Sequence, residues 1–251
     1  MNSNTAHPKR EAHAVLDLPS RAWKAQKIER ILNLQGRYEG CASSVKILDV
    51  GTGSGGIAHY FVNHASLKCQ VDSVDTTDNR KILEGFSFTQ VEDVRLPFPE
   101  ASFDVVISNH VIEHVGKMSE QKQHLIELKR VLNAKGIIYL ALPNRWMLIE
   151  PHYRLAFLSW LPVFLRSPYL RLMGKGDFYD CEPLSLRQLE HLLSEVGFCF
   201  HNASIEAMRL FFEIEKPDSI IGKMACRRSP IPQSFLCAIM PTLCYVLTKQ
   251  D

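Results

Sequence analysis

Three groups of residues have the types and spacing that chemistry needs. The run Asp49-Val50-Gly51-Thr52-Gly53-Ser54-Gly55-Gly56 puts an acid ahead of a loop with little side-chain bulk, so a ligand can approach the backbone closely. Between a strand and a helix, such a loop offers amide N–H groups and the positive helix end to an anionic group. The spacing Gly51, Gly53, Gly56 also satisfies GxGxxG, the signature of a nicotinamide or flavin dinucleotide. The loop alone does not decide between ligands. Asp49 is a poor neighbour for phosphates but a suitable partner for an ammonium group, directly or through water.

The second group is His110 and His152, whose imidazoles suit removal of a proton from a hydroxyl near neutral pH. A lone histidine is weak evidence, and a structural or substrate-orienting role fits each as well. The third is His110-x-x-Glu113-His114, which spells the HxxEH pattern of inverted zinc proteases. It begins at the expected end of a strand rather than deep in a helix, and it lacks an identified fourth donor, so no metal is expected.

The elements that position these groups follow from periodicity. Residues 21–34 place Trp23, Ile28, Ile31 and Leu32 at helical spacing and predict an amphipathic lead-in helix. Residues 45–50 are β-branched and apolar, read as a buried strand, and lead through the glycine loop into a helix at 57–63. Residues 71–75 and 86–91 predict two further strands, too close in sequence for a full crossover helix between them. A fourth strand at 103–108, a helix at 121–132 and a fifth strand at 136–142 follow. Strands alternating with helices predict an α/β fold with a parallel sheet covered on both faces.

Beyond residue 143 the regularity lapses. Residues 143–183 carry Trp146, Tyr153, Phe157, Trp160, Phe164, Tyr169, Phe178 and Tyr179 interleaved with four arginines, which reads as an inserted cap at about 145–184 whose aromatics mostly form its own small core. Apolar walls with cationic contacts would suit an anionic sugar, an acidic aromatic or a lipid-linked glycan. The run Trp160-Leu161-Pro162-Val163-Phe164-Leu165 beside basic residues also fits peripheral membrane contact. A helix at 185–196 starts on Ser185 and closes on Gly197, a strand starts at 198–200, and residues 242–248 read as a closing strand. About seven strands account for the chain.

Composition sets bounds on function. The chain has 251 residues, 46% hydrophobic and 22% charged, enough for one domain at 21–251 behind a flexible N-terminus at 1–20. Lysine and arginine total 29 against 27 acids, a net +2 that makes nucleic acid an unlikely partner. The seven cysteines form no CxxC pair, which fits a reducing, cytoplasmic compartment. The N-terminal residues lack the apolar run of a signal peptide. The apolar stretch 235–248, broken by Pro241, is shorter than the roughly 20 residues of a membrane helix.

Over residues 45–200 the chain resembles the class I S-adenosylmethionine-dependent methyltransferases, in the branch typified by small-molecule, quinone and glycan-modifying enzymes. Four matches in the right order carry the resemblance: the Asp49 to Gly55 loop; Asp75 closing the second strand; Leu96-Pro97-Phe98-Pro99 with Ser102-Phe103-Asp104; and Ser108-Asn109-His110-Val111-Ile112-Glu113-His114-Val115. It implies a Rossmann-like seven-stranded sheet in the order 3-2-1-4-5-7-6, the seventh strand antiparallel and supplied by residues 241–249. It implies S-adenosylmethionine as cofactor and S-adenosylhomocysteine as product.

By position, the resemblance assigns cofactor contacts to Asp49, Gly51, Thr52, Gly53 and Gly55, and to Asp75 with the adjoining Thr76 at the ribose. The adenine acid falls on Glu92 or Asp93, the latter slightly favoured, with Val94 offering backbone contact. Asn109 would reach the methionyl portion or the substrate, or serve as a turn residue satisfying its own loop. Some relatives bind a divalent ion through an ExxEH version of the 110–114 run, but here histidine comes first.

The expected activity is methyl transfer to an oxygen of a small molecule or glycan, with His110 and His152 as the candidate catalytic groups. The alternatives are a nicotinamide-dependent oxidoreductase, a non-catalytic cofactor-binding partner subunit, and RNA methylation, which the weak net charge disfavours. Neither the oligomeric state nor the methylated atom is legible.

Overall fold

The computed structural model describes residues 17–38, 44–63, 67–219, 237 and 240–250; the expected flexible segment lies mostly outside them. Helix α1 (Leu18–Leu32) is capped by Asp17, whose side chain accepts from the Ser20 N–H at 3.0 Å, and a short α2 (Leu34–Tyr38) follows. Ala25, Ile28, Ile31 and Leu32 of α1 are buried, whereas Trp23, counted above with the apolar stripe, is 43% exposed.

Strand β1 (Val45–Val50) leads through the glycine loop into α3 (Gly56–Val62). Strands β2 (Cys69–Asp75) and β3 (Ser87–Gln90) are joined by a connection with no helix, as their proximity in sequence requires. Strand β4 (Phe103–Asn109), helix α4 (Met118–Val131) and strand β5 (Leu132–Pro143) complete the parallel part. The sequence places the start of β5 at Gly136. In the structure it starts at Leu132, directly after α4, because Leu132 pairs with Phe103 ahead of a register shift.

After the cap come α6 (Leu186–Val196), β8 (Phe198–Asn202), α7 (Ser204–Glu215) and β9 (Thr242–Lys249). A capping box of Ser185 and Gln188 starts α6, and Gly197 ends it with φ 79°. Helix α7 has no counterpart in the sequence reading. It buries Ala207 and Leu210 against the sheet face shared with α1 and α3.

The seven strands run β3-β2-β1-β4-β5-β9-β8 with β9 antiparallel to both neighbours. Counting sheet strands alone, this is the expected order 3-2-1-4-5-7-6. One core layer packs Leu125, Leu128, Leu189 and Leu192 of α4 and α6 on one face, and the other packs Ile28, Phe61 and Leu210 of α1, α3 and α7 on the opposite face. No helix among the described residues is long and apolar enough to cross a membrane.

The cap, residues 145–184, contains a two-stranded hairpin of β6 (Ile149–Glu150) and β7 (Leu155–Ala156), a 3-10 turn and helix α5 (Val163–Leu172). Its core is Tyr153, Leu155, Leu158, Leu170, Tyr179 and Cys181. The buried Arg166 binds it together, donating from Nε to the Leu161 carbonyl at 2.9 Å and from a terminal nitrogen to the Ser159 carbonyl at 3.3 Å. The expectation that the cap's aromatics mostly form its core needs correction. Trp146, Phe157, Phe164 and Phe178 are exposed, because a 40-residue insertion has too little interior to hold eight rings.

Chain direction brings the carboxyl ends of β1, β2, β4 and β5 to one sheet edge, and the loop after β1 turns there on three left-handed glycines, Gly51 (φ 74°), Gly53 (φ 53°) and Gly55 (φ 80°). A Cβ at Gly51 would collide with Val111 Cγ2. Gly51→Ala is therefore expected to lower the unfolding free energy by about 1–3 kcal/mol. Urea denaturation checks this, and an unchanged midpoint would refute the stated role of Gly51.

Candidate functional site

Asp49 stands one residue before the end of β1 and is 1% exposed. Thr52 Oγ1 donates to its Oδ2 at 2.8 Å. Burial pushes the carboxyl up to about 6, against the hydrogen bond from Thr52 and the charge of Arg21 on α1, with Asp75 adding to the rise. The loop is pinned to the neighbouring strand, since the Gly51 N–H donates to the Val74 carbonyl at 2.8 Å. Ser54 is fully buried, and its Oγ has no hydrogen-bond partner.

Asp75, at the tip of β2, faces the same loop. Its Oδ2 accepts from the Gly53 N–H at 2.9 Å and its Oδ1 from the Thr76 N–H at 2.7 Å. These two bonds fix the carboxylate while leaving lone pairs for hydroxyl donors. Asp72, one pleat away, bonds instead to the Ser87 hydroxyl, which removes it from the loop.

Glu92 and Asp93 lie beyond β3, both exposed, with Val94 half-buried beside them. Asp93 Oδ1 accepts from the Arg95 N–H at 2.7 Å. A hollow of about 680 Å³ runs from these acids past Leu96 and Phe98 to Glu127 and Arg130. Those last two residues were not singled out by sequence. Glu127 Oε2 accepts from the Leu96 N–H at 2.9 Å, and Arg130 donates to the carbonyls of Phe98 at 2.7 Å and Leu96 at 2.9 Å. Helix α4 thus clamps the Leu-Pro-Phe segment. The only sequence trace of the clamp is a Glu and an Arg at i, i+3.

Asn109 ends β4, and His110 follows with φ 60°, its N–H donating to the Ala141 carbonyl at 2.8 Å. Left-handed backbone in a non-glycine residue is uncommon and costly. It turns the chain into the 3-10 turn Ile112–His114. His110 Nδ1 lies 3.3 Å and His114 Nε2 4.0 Å from Oε1 of Glu113, a fully buried carboxylate. Burial opposes ionisation of Glu113, but the two imidazoles win and hold it below the usual carboxylate value.

The second candidate histidine joins this cluster from the cap. His152 follows β6, and its Nδ1 lies 2.7 Å from Oε1 of the buried Glu150. Its ring meets that of His114 edge to face at 5.3 Å. Cys181 and Asp180 close the group from the segment leading out of the cap, with Tyr153 donating to Asp180 Oδ1 at 3.2 Å. The cap is tied down there by the Glu182 N–H, which donates to the Glu113 carbonyl at 2.8 Å. Sequence reading found the two histidines separately. It grouped Glu113 and His114 with His110 in the HxxEH run, but gave no sign that Glu150, Asp180 and Cys181 would join them from the cap, apart from the short spacing of Glu150 and His152.

Residues 48–140 match the family model described as a methyltransferase domain. No curated protein matches the chain. Among solved structures, the CurJ carbon methyltransferase superposes with a TM-score of 0.57 at 14% identity, covering 94% of this chain and 59% of that one. The plantazolicin methyltransferase BpumL, crystallised with a desmethyl plantazolicin analogue and S-adenosylhomocysteine, gives 0.56 at 17% identity, covering 94% and 88%. Phosphoethanolamine N-methyltransferase 2 of Haemonchus contortus gives 0.50 at 15% identity, covering 98% and 62%. At these identities the likeness is one of fold. The matched stretch holds the glycine loop, Asp75 and the turn after β4, so this part of the chain is similar to a methyltransferase domain.

Proposed function

We propose that the chain methylates an oxygen of a small molecule or glycan held between the sheet edge and the cap, with His110 accepting the proton that this oxygen loses. The observation that carries the reading is the pair His110 and Glu113 at the carboxyl end of β4, where open α/β sheets place their ligands. An acceptor that is already nucleophilic, such as an amine or carbanion, needs no such pair.

The loop fits the cofactor on three counts: glycines without side chains along its path, an orphaned Ser54 hydroxyl, and a buried carboxylate short of donors. Asp49 would face the ammonium group, with Gly51, Thr52, Gly53 and Gly55 lining the methionyl portion. Asp75 and Thr76 would take the ribose, and Glu92 or Asp93 with Val94 the adenine. Asp93 already caps its own turn through Arg95, which leaves Glu92 the freer of the two acids. Asn109 would border the methionyl end. When bound, S-adenosylmethionine supplies a methyl group on a sulfonium. Glu113 orients the His110 ring, and the fixed His110 backbone sets its position. The cap excludes water from above. Such alignment contributes roughly 7–11 kcal/mol to reactions of this kind.

The exposed apolar residues of the cap support contact with an anionic lipid surface, which would present a lipid-linked acceptor. Ile149, Phe157, Val163, Phe164 and Leu172 are all at least half exposed, and Arg154, Arg171 and Lys175 stand exposed among them.

The acceptor reading is tested with a labelled-methyl screen of glycan, phenol and carboxylate acceptors. His110→Ala should lower kcat on the acceptor found by about 10²–10⁴-fold with S-adenosylhomocysteine affinity retained. Full activity in that variant, or transfer only to amines, refutes the proposal, and NAD binding without S-adenosylhomocysteine binding refutes the cofactor assignment.

Asp49 gives a pH test. Its folded value of about 6 lies above the usual 3.8, so the folded chain takes up this proton more readily than the unfolded one. Stability from this group is therefore greatest in acid, declines between about pH 4 and 6, and is level above. Capture of an ammonium group runs the other way. Affinity for S-adenosylhomocysteine should rise about tenfold from pH 5 to 7, and Asp49→Asn should flatten that rise in calorimetric titrations. Sedimentation with vesicles checks the lipid contact: binding should need anionic lipid and be lost in Phe164→Asp.

A further inference from the structure

His114, Asp180 and Cys181 converge from the turn after β4 and the segment leading out of the cap, their ligand atoms all within 4.8 Å of one another, and His152 of the β6–β7 hairpin stands beside them. Cys181 Sγ lies 3.7 Å from His114 Nδ1, 3.6 Å from Asp180 Oδ1 and 4.0 Å from His152 Nδ1. With Zn–S near about 2.3 Å and Zn–N near about 2.0–2.1 Å, the donors of a tetrahedral zinc site stand about 3.5 Å apart. The separations of His114 and Asp180 from Cys181 are close to those of such a site, slightly expanded, and these three donors leave its fourth position open.

Charge points the same way. Glu113, Glu150 and Asp180 all act on Cys181. Glu113 and Glu150 are each at most 1% exposed, and neither oxygen of Glu113 receives a hydrogen bond. Carboxylates gathered around a buried thiol are unfavourable unless a cation compensates them. Imidazole and thiolate donors select zinc-type ions over magnesium or calcium. His152 is not a donor in this set, because the nitrogen that faces Cys181, Nδ1, is the one in contact with Glu150 at 2.7 Å.

We propose that Cys181, His114 and Asp180 hold a divalent zinc-type ion that ties the cap to the carboxyl edge of the sheet. The HxxEH run contributes only His114 to this set, and the other donors come from the cap. The site stands independently of which acceptor is methylated.

The test uses the 251-residue chain, stripped with chelator and reloaded with cobalt(II) as a visible reporter. One equivalent per chain should bind, with a thiolate-to-cobalt charge-transfer band and a raised thermal midpoint. Cys181→Ser should lose the band, while Cys199→Ser, an exposed cysteine elsewhere, keeps it. Asp180→Asn should also weaken cobalt binding, because it removes one of the donors. Absence of stoichiometric binding, or a band that survives in Cys181→Ser, overturns the proposal. If circular dichroism shows Cys181→Ser unfolded, His114→Gln decides: weakened cobalt binding supports the site and unchanged affinity overturns it.

Discussion

A carboxylate buried at the end of a central parallel strand constrains everything around it. Among the described residues, Asp49 has one side-chain donor, Thr52, and the cation facing it is Arg21. That arrangement requires α1 to lie across the loop. Gly56 makes this possible, since a Cβ there would stand 2.6 Å from Arg21 Cβ. The same economy of side chains bends the loop over Asp49, sets Gly53 against Asp75 and leaves a bare backbone channel between two acids. Under the proposed function, these two acids are what an ammonium group and vicinal hydroxyls would meet.

The other end of the edge is also organised by buried acids, with imidazoles in place of a guanidinium. Glu113 and Glu150 each hold a histidine, and the left-handed backbone at His110 fixes one ring by main-chain geometry as well as by a rotamer. The cap covers these groups and shields them, which strengthens every charge interaction beneath it. The cap itself is held by Arg166 on the inside and by the Glu182 amide on the sheet side. Its rings Trp146, Phe157, Phe164 and Phe178 stand exposed on the outside.

The parts of the molecule that local pattern could reveal were those whose neighbours lie close in sequence. Strand β1 is apolar at nearly every position because a parallel strand is buried on both faces, and the glycines after it are needed by local dihedrals. Ser185 and Gly197 mark α6 because caps act within one turn. Helix α7 escaped because Phe211 and Phe212 blur its apolar stripe of Ala207, Leu210 and Ile214, and because a proline-rich stretch follows. Trp23 was misassigned because periodicity tolerates an aromatic residue on the wrong face. The cluster under the cap was invisible for a different reason: Cys181 meets His114 across 67 residues and His152 across 29, and no spacing rule reaches that far.

Strand β9 lies inside the sheet, between β5 and β8, although it follows β8 in the chain. During synthesis, β8 therefore emerges with no partner to pair with, and β5 waits with one edge open, until residue 249 has cleared the ribosome. Neither strand can be completed by a shorter nascent chain. The half of the domain that carries the glycine loop has its partners much earlier, so it can order while the other half still has unpaired edges.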